Sequence, residues 1–197
     1  SVLFDNGTIV NSPGTGPGGT DESIIPSGGS SFGFHFGQSA GSSVADDFDV
    51  TETWTINSVE FQGYLTYSGT SSSFTSVYFR IYDGIPGGDL TTNRLSESTF
   101  ANIYRVDAPG QGTDRPIMNL ICNDLNIELN PGTYWIEWQA SGSLSSGPWV
   151  PNTVEPGNAI QWNSSAWSPL TNPGTVGLPF ILKGNNGSGP ANLLSYN

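Results

Sequence analysis

The chain has 197 residues, with 26 Gly, 14 Pro, 11% charged residues and 12% aromatic residues, including six Trp. A net charge of −12 argues against a nucleic-acid partner, which needs clustered Lys and Arg, and against adsorption to anionic membranes. The aromatic content argues against disorder through most of the chain, and the length suits one substantial β domain with its own core.

Residues 2–5 read as a first strand ended by the turn pair Asn6-Gly7. Residues 11–31 are rich in Gly, Pro, Ser and Thr and read as a long loop, interrupted by Ile24-Ile25. Phe32-Gly33-Phe34-His35-Phe36 alternates as a half-buried strand does, with His35 turned away from the three Phe rings. Residues 54–67 form the clearest strand. Val59, Phe61, Gly63 and Leu65 share one face, and Glu60, Gln62, Tyr64 and Thr66 the other; Gly63 marks a bulge or a close neighbour. Residues 74–82 follow, with Val77, Phe79 and Ile81 inward and Tyr78, Arg80 and Tyr82 outward. The two strands are expected to pair as a hairpin.

Weaker strands are expected over 95–108, 117–122 and 127–129, the last leading to the turn Asn130-Pro131-Gly132. Residues 133–140 make a second clear strand. Tyr134, Ile136 and Trp138 are its expected core face, because Glu137 and Gln139 would be costly inside. Strands at 159–162 and 178–183 complete the set. No helical periodicity persists and no internal repeat is visible. The fold class is therefore all-β, an antiparallel two-sheet β-sandwich of jelly-roll type with long Gly/Pro/Ser loops. It spans 1–184, with 185–197 as a flexible linker or tail.

The densest acidic cluster is Asp46-Asp47-Phe48-Asp49. In an extended chain Asp46 and Phe48 point one way, Asp47 and Asp49 the other. A buried acid needs backbone N–H groups, an Arg or a metal. Two readings stay open: a turn entering the strand, or a structural calcium held by Asp5, Asp46 and Asp47. No other cofactor is expected.

Cys122 is the only cysteine and lies in an apolar run, so it reads as a small core residue. With His35 the only His, neither a thiol or serine nucleophile with its base nor a zinc site is expected. No apolar run is long enough for a membrane helix. Ser1 opens directly on a strand-like segment, which fits a processed secreted chain. Sequons stand at Asn6, Asn163 and Asn186.

Several patches carry a resemblance when taken in order. They are Val2-Leu3-Phe4-Asp5-Asn6, Ala45-Asp46-Asp47-Phe48-Asp49-Val50, Trp54-Thr55-Ile56-Asn57-Ser58-Val59 and Val77-Tyr78-Phe79-Arg80-Ile81-Tyr82 with Gly84-Ile85-Pro86-Gly87. Then come Leu129-Asn130-Pro131-Gly132-Thr133-Tyr134-Trp135-Ile136, Gly157-Asn158-Ala159-Ile160-Gln161-Trp162 and Pro179-Phe180-Ile181-Leu182-Lys183-Gly184. From Val2 to Gly184 the chain resembles bacterial secreted β-sandwich modules found ahead of surface-anchoring or sorting domains. The resemblance implies secretion or a cell-surface location within a longer multidomain chain. It implies no settled activity. Such modules often carry cysteines near the Trp-rich C-terminal loops, and this chain has none there.

Function is expected to be carbohydrate binding without catalysis. Sugar C–H faces stack on Trp and Tyr while polar side chains satisfy the hydroxyls. The candidate contacts are Trp135, Trp149, Trp162, Trp167, Tyr64, Tyr78, Arg80 and Tyr82, and the partner a polysaccharide or glycan. A structural or adhesive spacer is the alternative. An enzyme ranks behind both: a glycoside hydrolase would use Glu60 and Glu137 as its carboxylate pair, and a lyase using Tyr and Arg would leave no readable spacing.

Overall fold

A computed structural model describes residues 1–87 and 90–187. Among them fourteen strands carry the fold: β1 (Val2–Asp5), β2 (Asp21–Ile24), β3 (Phe34–His35), β4 (Ser42–Val50), β5 (Trp54–Gly63), β6 (Phe74–Tyr82) and β7 (Glu97–Val106), then β8 (Pro116–Cys122), β9 (Ile127–Leu129), β10 (Gly132–Gly142), β11 (Trp149–Val150), β12 (Ile160–Asn163), β13 (Trp167–Pro169) and β14 (Phe180–Asn186). The only helical pieces described are two single 3-10 turns, and no described helix is long and apolar enough to cross a membrane. The protein is all-β.

One sheet runs β1-β14-β5-β8-β7-β2, with β9 also beside β5; a second runs β13-β12-β4-β10-β6; β3 and β11 form a small ribbon. Every strand pair is antiparallel except β2 with β7.

The core follows from alternation. In β10, Ile136, Trp138 and Ala140 are fully buried; in β5, Val59 and Phe61; in β8, Met118, Leu120 and Cys122; in β14, Leu182 with Phe180 beside it. These belong to one apolar cluster that takes residues from both larger sheets. At its centre the Phe61 ring stacks on Trp138, with centroids 4.8 Å apart. Ile136 and Trp138 of the expected inner face of β10 belong to this core, with Tyr134 half-buried against it, while Glu137 on the opposite face is buried as well.

The expected hairpin of β5 with β6 does not form. β5 lies between β14 and β8, while β6 pairs with β10 in the other sheet. Phe61 of β5 and Phe79 of β6 instead meet across the core, 5.8 Å between centroids. Facing each other, the two apolar faces bury against one another; side by side, each would still need a cover. Residues 64–73 are therefore a crossover rather than a hairpin turn.

Gly63 sits there because the chain approaches closely: a Cβ would lie 2.7 Å from Phe36 Cζ and 3.0 Å from the Trp149 carbonyl. The loop expected over 11–31 contains the parallel strand β2, and the expected strand over 32–36 is reduced to β3. β14 continues to Asn186, pairing Asn185 and Asn186 with Thr55 and Trp54. The stretch expected as a tail from 185 thus begins inside a strand, and residues 188–197 lie outside the described residues.

Candidate functional site

β10 lies within the five-stranded sheet, whose outer face is one continuous surface. Its neighbours are β4 on one side and β6 on the other. Antiparallel register puts opposed side chains on the same face. Trp135 is opposite Tyr82 and Asp47, Glu137 is opposite Arg80 and Ala45, and Gln139 is opposite Tyr78. Further out, Trp162 of β12 is opposite Ser43 of β4 and Trp167 of β13. Since Ile136 and Trp138 face the core, all of these residues face away from it. Six of the eight expected contacts, Trp135, Trp162, Trp167, Tyr78, Arg80 and Tyr82, therefore stand on one face.

A groove of about 340 Å³ opens at the β12–β13 end of this face, lined by Ser43, Glu137, Gln139, Trp162, Trp167, Gly41, Gly87 and Leu90. The Trp162 and Trp167 rings lie 5.6 Å apart at 55°. Trp167 Nε1 donates to the Pro86 carbonyl at 3.2 Å, which fixes the ring against the turn that follows β6.

Glu137 lies on the floor of the groove with only 4% of its surface exposed. Its Oε2 accepts from Ser43 Oγ at 2.6 Å and its Oε1 from Tyr82 Oη at 2.9 Å. Burial pushes its carboxyl above the usual range, and the two hydroxyls pull it partly back. Arg80, opposite in register, makes no ion pair with it; its guanidinium lies 5.4 Å from the Tyr82 ring centroid. The site sets two tilted indoles beside a held carboxylate and an amide, apolar faces next to fixed polar groups.

Tyr64 and Trp149 lie elsewhere, bridging to each other through backbone bonds at 2.8 and 2.9 Å. Tyr64 is buried at 1% exposure among Ile9, Ile103 and Ile117, and its hydroxyl donates to the Phe32 carbonyl. It is a core residue with its polar end satisfied, so it offers no stacking surface. The four expected platform indoles all keep partial exposure, whereas Trp54 and Trp138 are core at 5% and 0%.

The acids do not gather. Asp5 Oδ1 accepts from the Gly7 N–H in a local turn. Asp46 points inward, where Oδ2 accepts from Asn6 Nδ2 and the Leu178 N–H and Oδ1 from the Asp47 N–H. Asp47 points out beside Trp135. Because β4 alternates, Asp46 and Asp47 cannot both reach one ion, and among the described residues no group of three or more His, Cys, Asp or Glu could hold a metal. Asp5 and Asp46 are held instead by N–H donors of their own.

Glu60 and Glu137 do not form a pair either. Glu60 is in the other sheet, ion-paired to Lys183 at 2.8 Å. His35 sits edge-on to Trp149, its pKa lowered by burial. The buried Cys122 thiol is pushed up to about 12, which keeps it protonated.

Sequence reasoning missed the gathering of Ser43, Glu137 and Gln139 beneath the indoles. The signal was their outward parity in β4 and β10, but only the pairing of β12 with β4 brings Trp162 over them. Comparison with family models, curated proteins and solved structures gives no match.

Proposed function

We propose that this chain is a non-catalytic carbohydrate-binding module, a jelly-roll-like β-sandwich of a secreted or cell-surface protein with further domains. One observation carries the reading: a single outward sheet face carries Trp135, Trp162, Trp167, Tyr78, Arg80 and Tyr82, and Trp162 and Trp167 line a groove floored by Glu137 and Gln139. Exposed aromatic rings with a few fixed polar groups are what a sugar needs, apolar faces for its C–H groups and oriented partners for its hydroxyls. The groove's own charge is one buried carboxylate, which favours a neutral glycan.

The rings are presented by strands rather than by loose loops, so little conformational freedom is lost on binding. The test is a screen against neutral polysaccharides, read by tryptophan fluorescence. Saturable binding that weakens at least tenfold in Trp162→Ala and Trp167→Ala, with melting curves unchanged, supports the reading. Absence of binding to any glycan by the folded chain would favour a spacer.

A further inference from the structure

We propose that the cleft between Phe32, Tyr67, Arg115 and Trp149 is a second binding site, for a carboxylate-bearing sugar. It shares no lining residue with the Trp162–Trp167 groove and does not rest on the reading of that groove.

Charge comes first. The chain has five cations against seventeen acids, yet one of the five, Arg115, lines this cleft, and a second, Arg105, is buried behind its Ser31–Phe32 wall. Among the described residues the one ion pair is Lys183 with Glu60. Arg105 is 2% exposed and spends its donors on neutral oxygens: Nε on the Phe32 carbonyl, Nη2 on the Ser31 carbonyl and Nη1 on Ser23 Oγ. Burial lowers it to about 10, so it remains a cation at neutral pH. Arg115 lies on the other side of the same segment, its guanidinium carbon 3.7 Å from the Phe32 ring centroid. Stacking occupies the face of that group and leaves its edge N–H donors in plane, the geometry that takes a carboxylate in two parallel bonds. Arg115 is the charged side chain that lines the cleft, so a carboxylate entering it meets a cation.

Shape comes second. The cleft holds about 510 Å³, within the range of small-ligand sites. Tyr67 is 74% exposed and has φ 66°, the left-handed region that a bulky side chain rarely adopts. Its N–H donates to the Asp114 carbonyl at 2.7 Å, which ties this turn to the residue before Arg115, and both side chains line the cleft. Trp149 Nε1 donates to Ser146 Oγ, which donates to Thr66 Oγ1, so hydroxyls line the cleft between the two aromatic side chains. A uronic acid matches every part: a C–H face for Tyr67 or Trp149, hydroxyls for Thr66 and Ser146, and a carboxylate for Arg115. A neutral sugar leaves Arg115 unused, and a small free carboxylate leaves the rings unused.

The experiment titrates the whole chain with trigalacturonate and with a neutral galactotriose, by calorimetry. Trigalacturonate is expected to bind saturably at neutral pH, with affinity falling at least tenfold in Arg115→Ala and several-fold in Arg115→Lys, which keeps the charge but not the planar fork. Tyr67→Gly separates site from scaffold: glycine accepts the left-handed backbone, so the melting temperature holds or rises while trigalacturonate binding weakens. Trp162→Ala leaves this binding intact. The proposal is overturned if wild-type protein does not bind trigalacturonate, if a folded Arg115→Lys or Tyr67→Gly binds it as wild type does, or if Trp162→Ala abolishes it. Equal affinity for galactotriose, equally sensitive to Arg115, would overturn the carboxylate assignment.

Discussion

The Asp46 carboxylate accepts the Leu178 backbone N–H at 2.9 Å, 132 residues along the chain. This bond ties β4, in one sheet, to the segment that leads into β14 in the other. The same Oδ2 accepts from Asn6 at 2.7 Å, just after β1. A buried acid therefore acts as a clasp where three distant segments meet.

That clasp makes stability depend on pH. Burial raises the Asp46 carboxyl from its ordinary 3.8 to about 6, against the pull of its three hydrogen-bond donors. Between those values the folded chain holds a proton that the unfolded chain has released, so stability falls as pH rises through the window. At ~1.4 kcal/mol per pH unit, the difference is on the order of 3 kcal/mol. Thermal melts from pH 4 to 7 should show this decline. Asp46→Asn, which cannot titrate, should flatten it while lowering stability at pH 4, because its amide turns donors toward donors. An unchanged slope in Asp46→Asn would assign the pH response to the general repulsion of a −12 chain.

Glu137 should separate binding from stability. Glu137→Gln removes a buried charge but still accepts one hydroxyl bond, so its melting temperature at neutral pH is expected to stay within a few degrees of wild type. Binding to the neutral glycan should weaken several-fold, because a charge-assisted acceptor for sugar hydroxyls is lost. Since the Glu137 carboxyl is raised by burial, wild-type binding should also weaken on acidification as that group takes up a proton. Calorimetry at two pH values checks both statements, with Glu137→Gln showing no such pH dependence.

The six Trp residues divide by burial. Trp138 packs on Phe61 and Phe180 at full burial, and truncation of such a residue costs ~3–5 kcal/mol. Trp138→Ala should therefore lower denaturant midpoints sharply. Trp167→Ala, at a partly exposed ring, should leave them nearly unchanged and weaken sugar binding. If Trp167→Ala destabilises as much as Trp138→Ala, the ring is scaffold rather than platform.

Gly63 should tolerate no side chain. Its missing Cβ faces Phe36 and the Trp149 carbonyl at 2.7 and 3.0 Å, and backbone cannot move aside as a flexible side chain does. Gly63→Ala should cost ~1–3 kcal/mol by overpacking, measurable by urea unfolding.

Much of this was legible in the residues alone. Alternation is local: the pleat of an extended backbone sends successive side chains to opposite faces. Hence Ile136 and Trp138 could be placed inward, Tyr78, Arg80 and Tyr82 outward, and Asp46 opposite Asp47, without knowing any neighbour. The acid beside Phe48 needs a partner if buried, and two backbone N–H groups with the Asn6 amide supply it.

Pairing was decided only in three dimensions. β5 and β6 are sequential and complementary enough for a hairpin, yet they separate because Phe61 and Phe79 bury more apolar surface by facing each other across the core. Their separation leaves β10 free to pair with both β4 and β6, which gathers Trp135, Glu137 and Tyr82 on one surface. It also sends Tyr64 into the core while Trp149 turns to the far cleft beside Arg115. Side-chain parity is set by the covalent geometry of each strand, whereas the choice of partner strand is set by the packing of whole faces, which no single stretch encodes.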